Sequence, residues 1–152
     1  MLSRMMRIDT AHFGWIDVHT TDVLRFPLGL PGFEQRRRWV LLARRDRDDV
    51  SWLQCVDCPG AALAVVDPRR FVPDYQVSLA HRDVACLGLR SLDEAKVLVT
   101  MNRTERGLTL DLKAPVVLNL RRRLGRQMIS NSDLPVRYAL EKASPPRMRK
   151  TA

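Results

Sequence analysis

The chain has 152 residues, 45% of them hydrophobic, and a formal net charge of +9. That length can bury a core without disulfides or metals, and no apolar run approaches the roughly 18 residues of a membrane-spanning helix. Cys55, Cys58 and Cys86 are too few for a disulfide framework, and no apolar h-region follows the charged N-terminus, so the composition points to a reducing, cytoplasmic compartment.

In chain order, "RIDTAHFGWIDV" (7–18) predicts an early strand or hairpin, with Gly14 as a bulge or bend. "RFPLGLPGFEQ" (25–35) then crowds Phe26, Leu28, Leu30 and Phe33 among two prolines and two glycines. The prolines remove backbone donors and bar a regular helix or central strand, while Gly29 and Gly32 permit tight turns. An apolar loop of this kind either plugs a core or stays open to a partner.

Strand-like runs follow at 38–43, 52–56 and 61–66. "RRFVPDYQ" (69–76) is a second apolar segment broken by proline, and 79–89 is the one plausible helix, with Ser78 as its N-cap. Further strands are predicted at 95–101, 108–113, 115–120 and 123–129. With about eight short strands separated by turn signals, the chain reads as all-β and mainly antiparallel. An antiparallel barrel or sandwich is the natural architecture for such a chain, as one domain over 1–138 with one short helix, followed by a basic tail over 139–152.

The charge is unevenly placed. Residues 1–120 hold 17 Lys and Arg against 15 Asp and Glu, whereas residues 121–152 hold 9 against 2. The end, "SPPRMRKTA", is Pro-rich and nearly free of large apolar groups, so we expect it to be disordered. Solubilising the protein is its default role. Nucleic-acid surfaces more often interleave aromatics, and only Tyr138 follows Tyr75.

Candidate chemistry is sparse. Cys55 and Cys58 form a C-x-x-C, but Pro59-Gly60 and another strand follow it rather than the helix of a redox site. A zinc site would need two more ligands, and Cys86 and His81 lie five positions apart on the predicted helix, on different faces. Asp17 and His19 would share one face of a strand, but no serine or cysteine beside them completes a nucleophile set. "GLPG" carries prolines where a phosphate loop needs free N–H groups. No catalytic residue, metal ligand, cofactor or small-molecule substrate is predicted.

What remains is a surface. Aromatic and amphipathic side chains beside rigid turns suit protein interfaces, which gives Leu30, Phe33, Gln54, Phe71 and Tyr75 as candidate protein-binding residues. Trp52 is expected in the core and Phe33 in a mixed role. Two other readings compete: an RNA-binding β-barrel gripping phosphates through Arg121–Arg123 and the tail, and a redox or metal protein built on Cys55 and Cys58.

"FGWIDV", "DVLRFPLGLPGFEQ", "RWVLL", "WLQCVDCPGAALAVVDP", "FVPDYQVSL" and "LTLDLKAPVVLNLRRRLGRQMI", in this order, resemble the flagellar assembly factor FliW family from about Ile8 to Ser130. The resemblance implies a small β-barrel-like fold, in which loop 25–35 is expected to do both things, Phe26 and Leu30 turned inward and the rest shaping a barrel-end surface. It also implies two protein partners, the translational regulator CsrA and flagellin. It also implies that the protein sequesters CsrA, relieving repression of flagellin synthesis, and that new flagellin competes for it. RNA would be reached only through CsrA. Typical members of that family are acidic, whereas this body is near neutral.

Overall fold

The computed structural model describes residues 3–43 and 49–140. Of the expected tail, residues 141–152 lie outside the described residues.

Among the described residues eleven strands and one α-helix run in order. They are β1 (Met5–Thr10), β2 (Gly14–His19), β3 (Leu24–Arg25), β4 (Arg38–Ala43), β5 (Ser51–Cys55), β6 (Ala62–Val66), α1 (His81–Cys86), β7 (Lys96–Thr104), β8 (Gly107–Leu110), β9 (Val116–Asn119), β10 (Leu124–Gln127) and β11 (Tyr138–Ala139). Strands β7, β6, β5, β4, β3, β10 and β9 are hydrogen-bonded in that sequence, and β9 returns to β7, closing a seven-stranded barrel. All the joins in this ring are antiparallel except β3–β10, a parallel pairing of Arg25 with Leu124. The expected all-β barrel with one short helix is the observed fold.

Alternation along each strand explains where the core sits, since successive side chains point to opposite faces. Trp39, Leu53, Cys55, Val65, Leu98, Val116 and Leu118 face the barrel interior, joined from the loop by Phe26 and Leu30. Residues of the opposite parity meet three outer layers. The β1–β2 hairpin covers Val40 and Val56 with Ile8 and Val18. Helix α1 and the turns after it cover Val117 with Val84, Leu87 and Leu89. Segment 71–77, with β8 and β11, covers Val66 and Val99. Strand β9 is therefore buried at all four positions, which is why "VVLN" reads as a continuous apolar run ending in a polar residue.

Several boundaries differ from the sequence reading. The helix is His81–Cys86, not 79–89, and Ala80 opens it without a side-chain cap. Ser78 is instead tied to the 130–131 segment, its carbonyl accepting from Asn131 N at 2.6 Å. The helix ends early because Gly88 takes a φ of 74° and its N–H turns back to the Ala85 carbonyl at 2.9 Å, leaving the Leu87 carbonyl to accept from the buried Asn119 side chain at 2.7 Å. The run at 7–18 is a hairpin in which Gly14 is the first residue of β2. The run expected at 123–129 spans only 124–127, and it is not the last strand, since Tyr138 and Ala139 pair with β8. The run expected at 108–113 ends at Leu110, where Asp111 accepts from the amides of Lys113 and Ala114 and turns the chain.

Candidate protein-binding surface

Loop 26–36 is built from two tight turns. Gly29 N donates to the Phe26 carbonyl at 2.8 Å, and Phe33 N donates to the Leu30 carbonyl at 2.6 Å. In the second turn Pro31 and Gly32 (φ 85°) occupy the central positions that a type II turn assigns to proline and glycine. Gly29 is required twice over. Its φ is +65°, and a Cβ there would meet the Glu34 carbonyl oxygen at 2.6 Å. The result drops Phe26 and Leu30 into the barrel, almost wholly buried, and raises Leu28 between them with 62% of its surface exposed. Phe26 fits only because Gly125 lies beneath it: a Cβ at that position would collide with the Phe26 ring. Glu34 closes the loop by accepting from Gly32 N at 3.1 Å, and such main-chain hydrogen bonds hold its carboxyl below the usual range.

The sequence-predicted residues fall into two places. Leu30, Phe33 and Gln54 lie at the end of the barrel closed by loop 26–36 and the 57–60 turn. Leu30 is buried, and Phe33 is half-buried, its ring edge-on to Trp39 at 5.7 Å. Gln54 is wholly buried, its amide nitrogen donating to the carbonyls of Cys55, Cys58 and Pro59, and its Oε1 has no hydrogen-bond partner among the described residues. Phe71 and Tyr75 sit elsewhere, over β7 and β8. Tyr75 is buried and donates to the Leu112 carbonyl at 2.8 Å; burial pushes its phenol up to about 12. Phe71 is half-buried in the same cluster. Of the five, only Phe33 and Phe71 reach the surface, while Leu30, Gln54 and Tyr75 support it from below.

Trp52 is half-exposed rather than core, because Leu53 and Cys55 take the inward positions of β5 and leave Trp52 facing out. There it stacks on His12 at 4.7 Å and meets Phe13 edge-on at 6.3 Å. The hairpin tip that carries both is fastened to the 57–60 turn through Ala11 N and the Pro59 carbonyl, 2.9 Å apart. Phe13 and Trp15 remain 39% and 63% exposed. Neither was predicted. The available signal is parity: Trp15 shares the outer face of the hairpin with Asp17 and His19, while Ile16 and Val18 face inward. On that face Asp17 lies beside Arg7 at 3.9 Å, and His19 engages Ser3 at 2.9 Å rather than Asp17.

The three cysteines are free thiols. Cys55 is buried in the barrel, where burial pushes its thiol up; Cys58 is half-buried and Cys86 exposed. Among the described residues no group of three or more His, Cys, Asp or Glu is placed to hold a metal ion, and no helix is long and apolar enough to cross a membrane.

The family model described as FliW protein matches residues 7–140. The chain belongs to the FliW family. The flagellar assembly factor FliW of Bdellovibrio bacteriovorus is 36% identical over 135 residues, covering 87% of this chain and 77% of its own. That of Clostridium tetani is 30% identical over 138 residues, covering 89% and 95%. A crystal structure of the flagellar assembly factor FliW superposes with a TM-score of 0.81 at 28% identity, over 88% of this chain and 95% of that one. FliW relatives are thus named as assembly factors rather than as enzymes.

Proposed function

We propose that this FliW chain is a non-enzymatic, cytoplasmic regulator of flagellar assembly and translation. It binds and sequesters the RNA-binding repressor CsrA, relieving repression of flagellin synthesis, and binds flagellin as a competing, chaperone-like partner. The observation that carries this reading is the family match across 7–140. The surface described above supports it: Phe13, Trp15, Leu28 and Phe33 are large apolar groups held on turns or a hairpin, as contact residues at protein interfaces are.

The test is a pull-down from the native cytoplasm at moderate salt, with and without ribonuclease. We expect CsrA and flagellin to be retained in both arms. Loss of every partner on ribonuclease treatment would transfer the function to the competing reading, an RNA-binding barrel that uses its basic C-terminal region.

A further inference from the structure

The parallel join between β3 and β10 gathers arginines that are far apart in sequence. Arg25 N donates to the Arg123 carbonyl at 2.8 Å, and Arg25 stands directly opposite Arg38 on β4. With Arg121 and Arg122 these residues line one groove of about 710 Å³. Two of the five are neutralised: Arg38 by Asp57 at 2.6 Å and Arg123 by Asp22 at 3.4 Å. Among the described residues Arg25, Arg121 and Arg122 have no carboxylate partner. Glu94, which shares a neighbouring groove with Arg121 and Arg122, is engaged by the Arg90 amide at 2.9 Å.

Such an arrangement does nothing for folding. Arg25 faces a strand neighbour, Arg38, whose charge Asp57 already takes up, and nothing in the barrel core depends on the side chains of Arg25 or Arg121. Arg123 is also the one non-glycine residue with positive φ among those described, at 57°, held there as its guanidinium donates to the Thr21 carbonyl at 2.8 Å. That conformation serves the fold, since it aims the Arg123 carbonyl at Arg25 N; the unpartnered charges of Arg25, Arg121 and Arg122 do not, and local features that the fold does not need are a mark of function.

We propose that this groove binds an acidic segment of a protein partner, one in which Asp or Glu side chains alternate with apolar ones. Guanidinium forks match carboxylates bidentately and desolvate readily. The rest of the lining decides between carboxylates and nucleic acid. It offers Met6, Val23 and Leu124 as apolar contacts and no aromatic side chain on which a base could stack. The sign of the charge also separates the groove from any surface that would take a basic RNA-binding protein, so it adds a partner to the proposed function and does not rest on it.

The test is fluorescence anisotropy on the full chain with two probes, a short labelled peptide of glutamate and leucine and a single-stranded RNA of equal charge. The variant is Arg25→Gln, Arg121→Gln, Arg122→Gln. We expect the peptide to bind, to weaken as salt rises, and to lose about tenfold or more in affinity in the variant, while RNA affinity changes less. No peptide binding, or peptide binding that the variant leaves unchanged, overturns the proposal. So does RNA affinity that falls as far as peptide affinity, which would make the groove a phosphate site. Should the triple variant melt early, Arg25→Gln alone carries the test. Because the Arg25 side chain has no partner to lose among the described residues, its removal should leave the melting temperature level while peptide binding drops, and a lower melting temperature would make Arg25 structural and defeat the proposal.

Discussion

Segments 26–36 and 69–76 are alike in composition, each an apolar stretch interrupted by proline, yet they settle in different layers. The first is folded on itself by two turns and sinks Phe26 and Leu30 into the barrel. The second is held open by a 3₁₀ turn at Pro68–Arg70, capped by Asp67 accepting from Arg69 N at 3.0 Å, and lies against the outside of β6 and β7. Glycine makes the difference. Segment 26–36 can place Gly29 and Gly32 at positive φ and double back, whereas 69–76 has no glycine and runs on as a strap. Proline content marks both as irregular; glycine placement decides which can enter a closed ring.

The comparison is most sharply broken at the aromatic each segment contributes. Phe26→Ala should cost about 3–5 kcal/mol, measured by denaturant unfolding, because the ring is wholly buried against Gly125 and Leu118. Phe71→Ala, half-buried on the strap, should cost only about 1–2 kcal/mol. Equal losses would erase the distinction between plug and strap. Next in size is Gly29→Ala, which forces an L side chain to positive φ and into the Glu34 carbonyl; we expect about 2–4 kcal/mol. A melting temperature unchanged by that substitution would show that the double turn does not define the plug.

The strap is tested by pH. The Tyr75 phenol is raised from 10.0 to about 12 by burial, so the folded state resists ionisation that the unfolded chain permits. Its contribution is fully present below pH 10 and is lost as pH rises through about 12. Tyr75→Phe should cost about 1–2 kcal/mol at neutral pH through the unpartnered Leu112 carbonyl. The gap between the two proteins should then narrow above pH 10. The smallest stability effect belongs to the tip of the plug: Leu28→Ser should change stability by less than about 0.5 kcal/mol while weakening binding when purified CsrA or flagellin is titrated against the variant. Undiminished affinity would remove Leu28 from the proposed surface.

The barrel itself was legible because alternation survives in most strands, and 38–43 was read to the residue. The inward turn of Phe26 and Leu30 was legible too, since turn chemistry and apolar spacing agree there. Strands β3 and β11 were not, being two residues each and too short to show any period. The candidate surface was read less well. Leu30, Gln54 and Tyr75 carry interface-like side chains, but covering layers bury them: the loop over the barrel end, the 57–60 turn and the strap. Trp15, Trp39 and Trp52 are chemically identical, and only register separates the exposed, buried and half-exposed copies. Arg121–Arg123 stood out in sequence as a run that could grip phosphates, but the groove they form with Arg25 and Arg38 was beyond sequence, because it exists only where a parallel join brings Arg25 beside Arg123.

That join gives the ring a seam. Strand β3 has two residues and meets β10 through a single register pair, Arg25 with Leu124, whereas β4 and β5 are laced through five. A circle of strands parts at its weakest link, and parting here converts the barrel into an open sheet with two raw margins while sparing every other join. Deuterium should therefore reach the Arg25 amide before those of β5 or β9, making this amide a gauge of how often the barrel breathes.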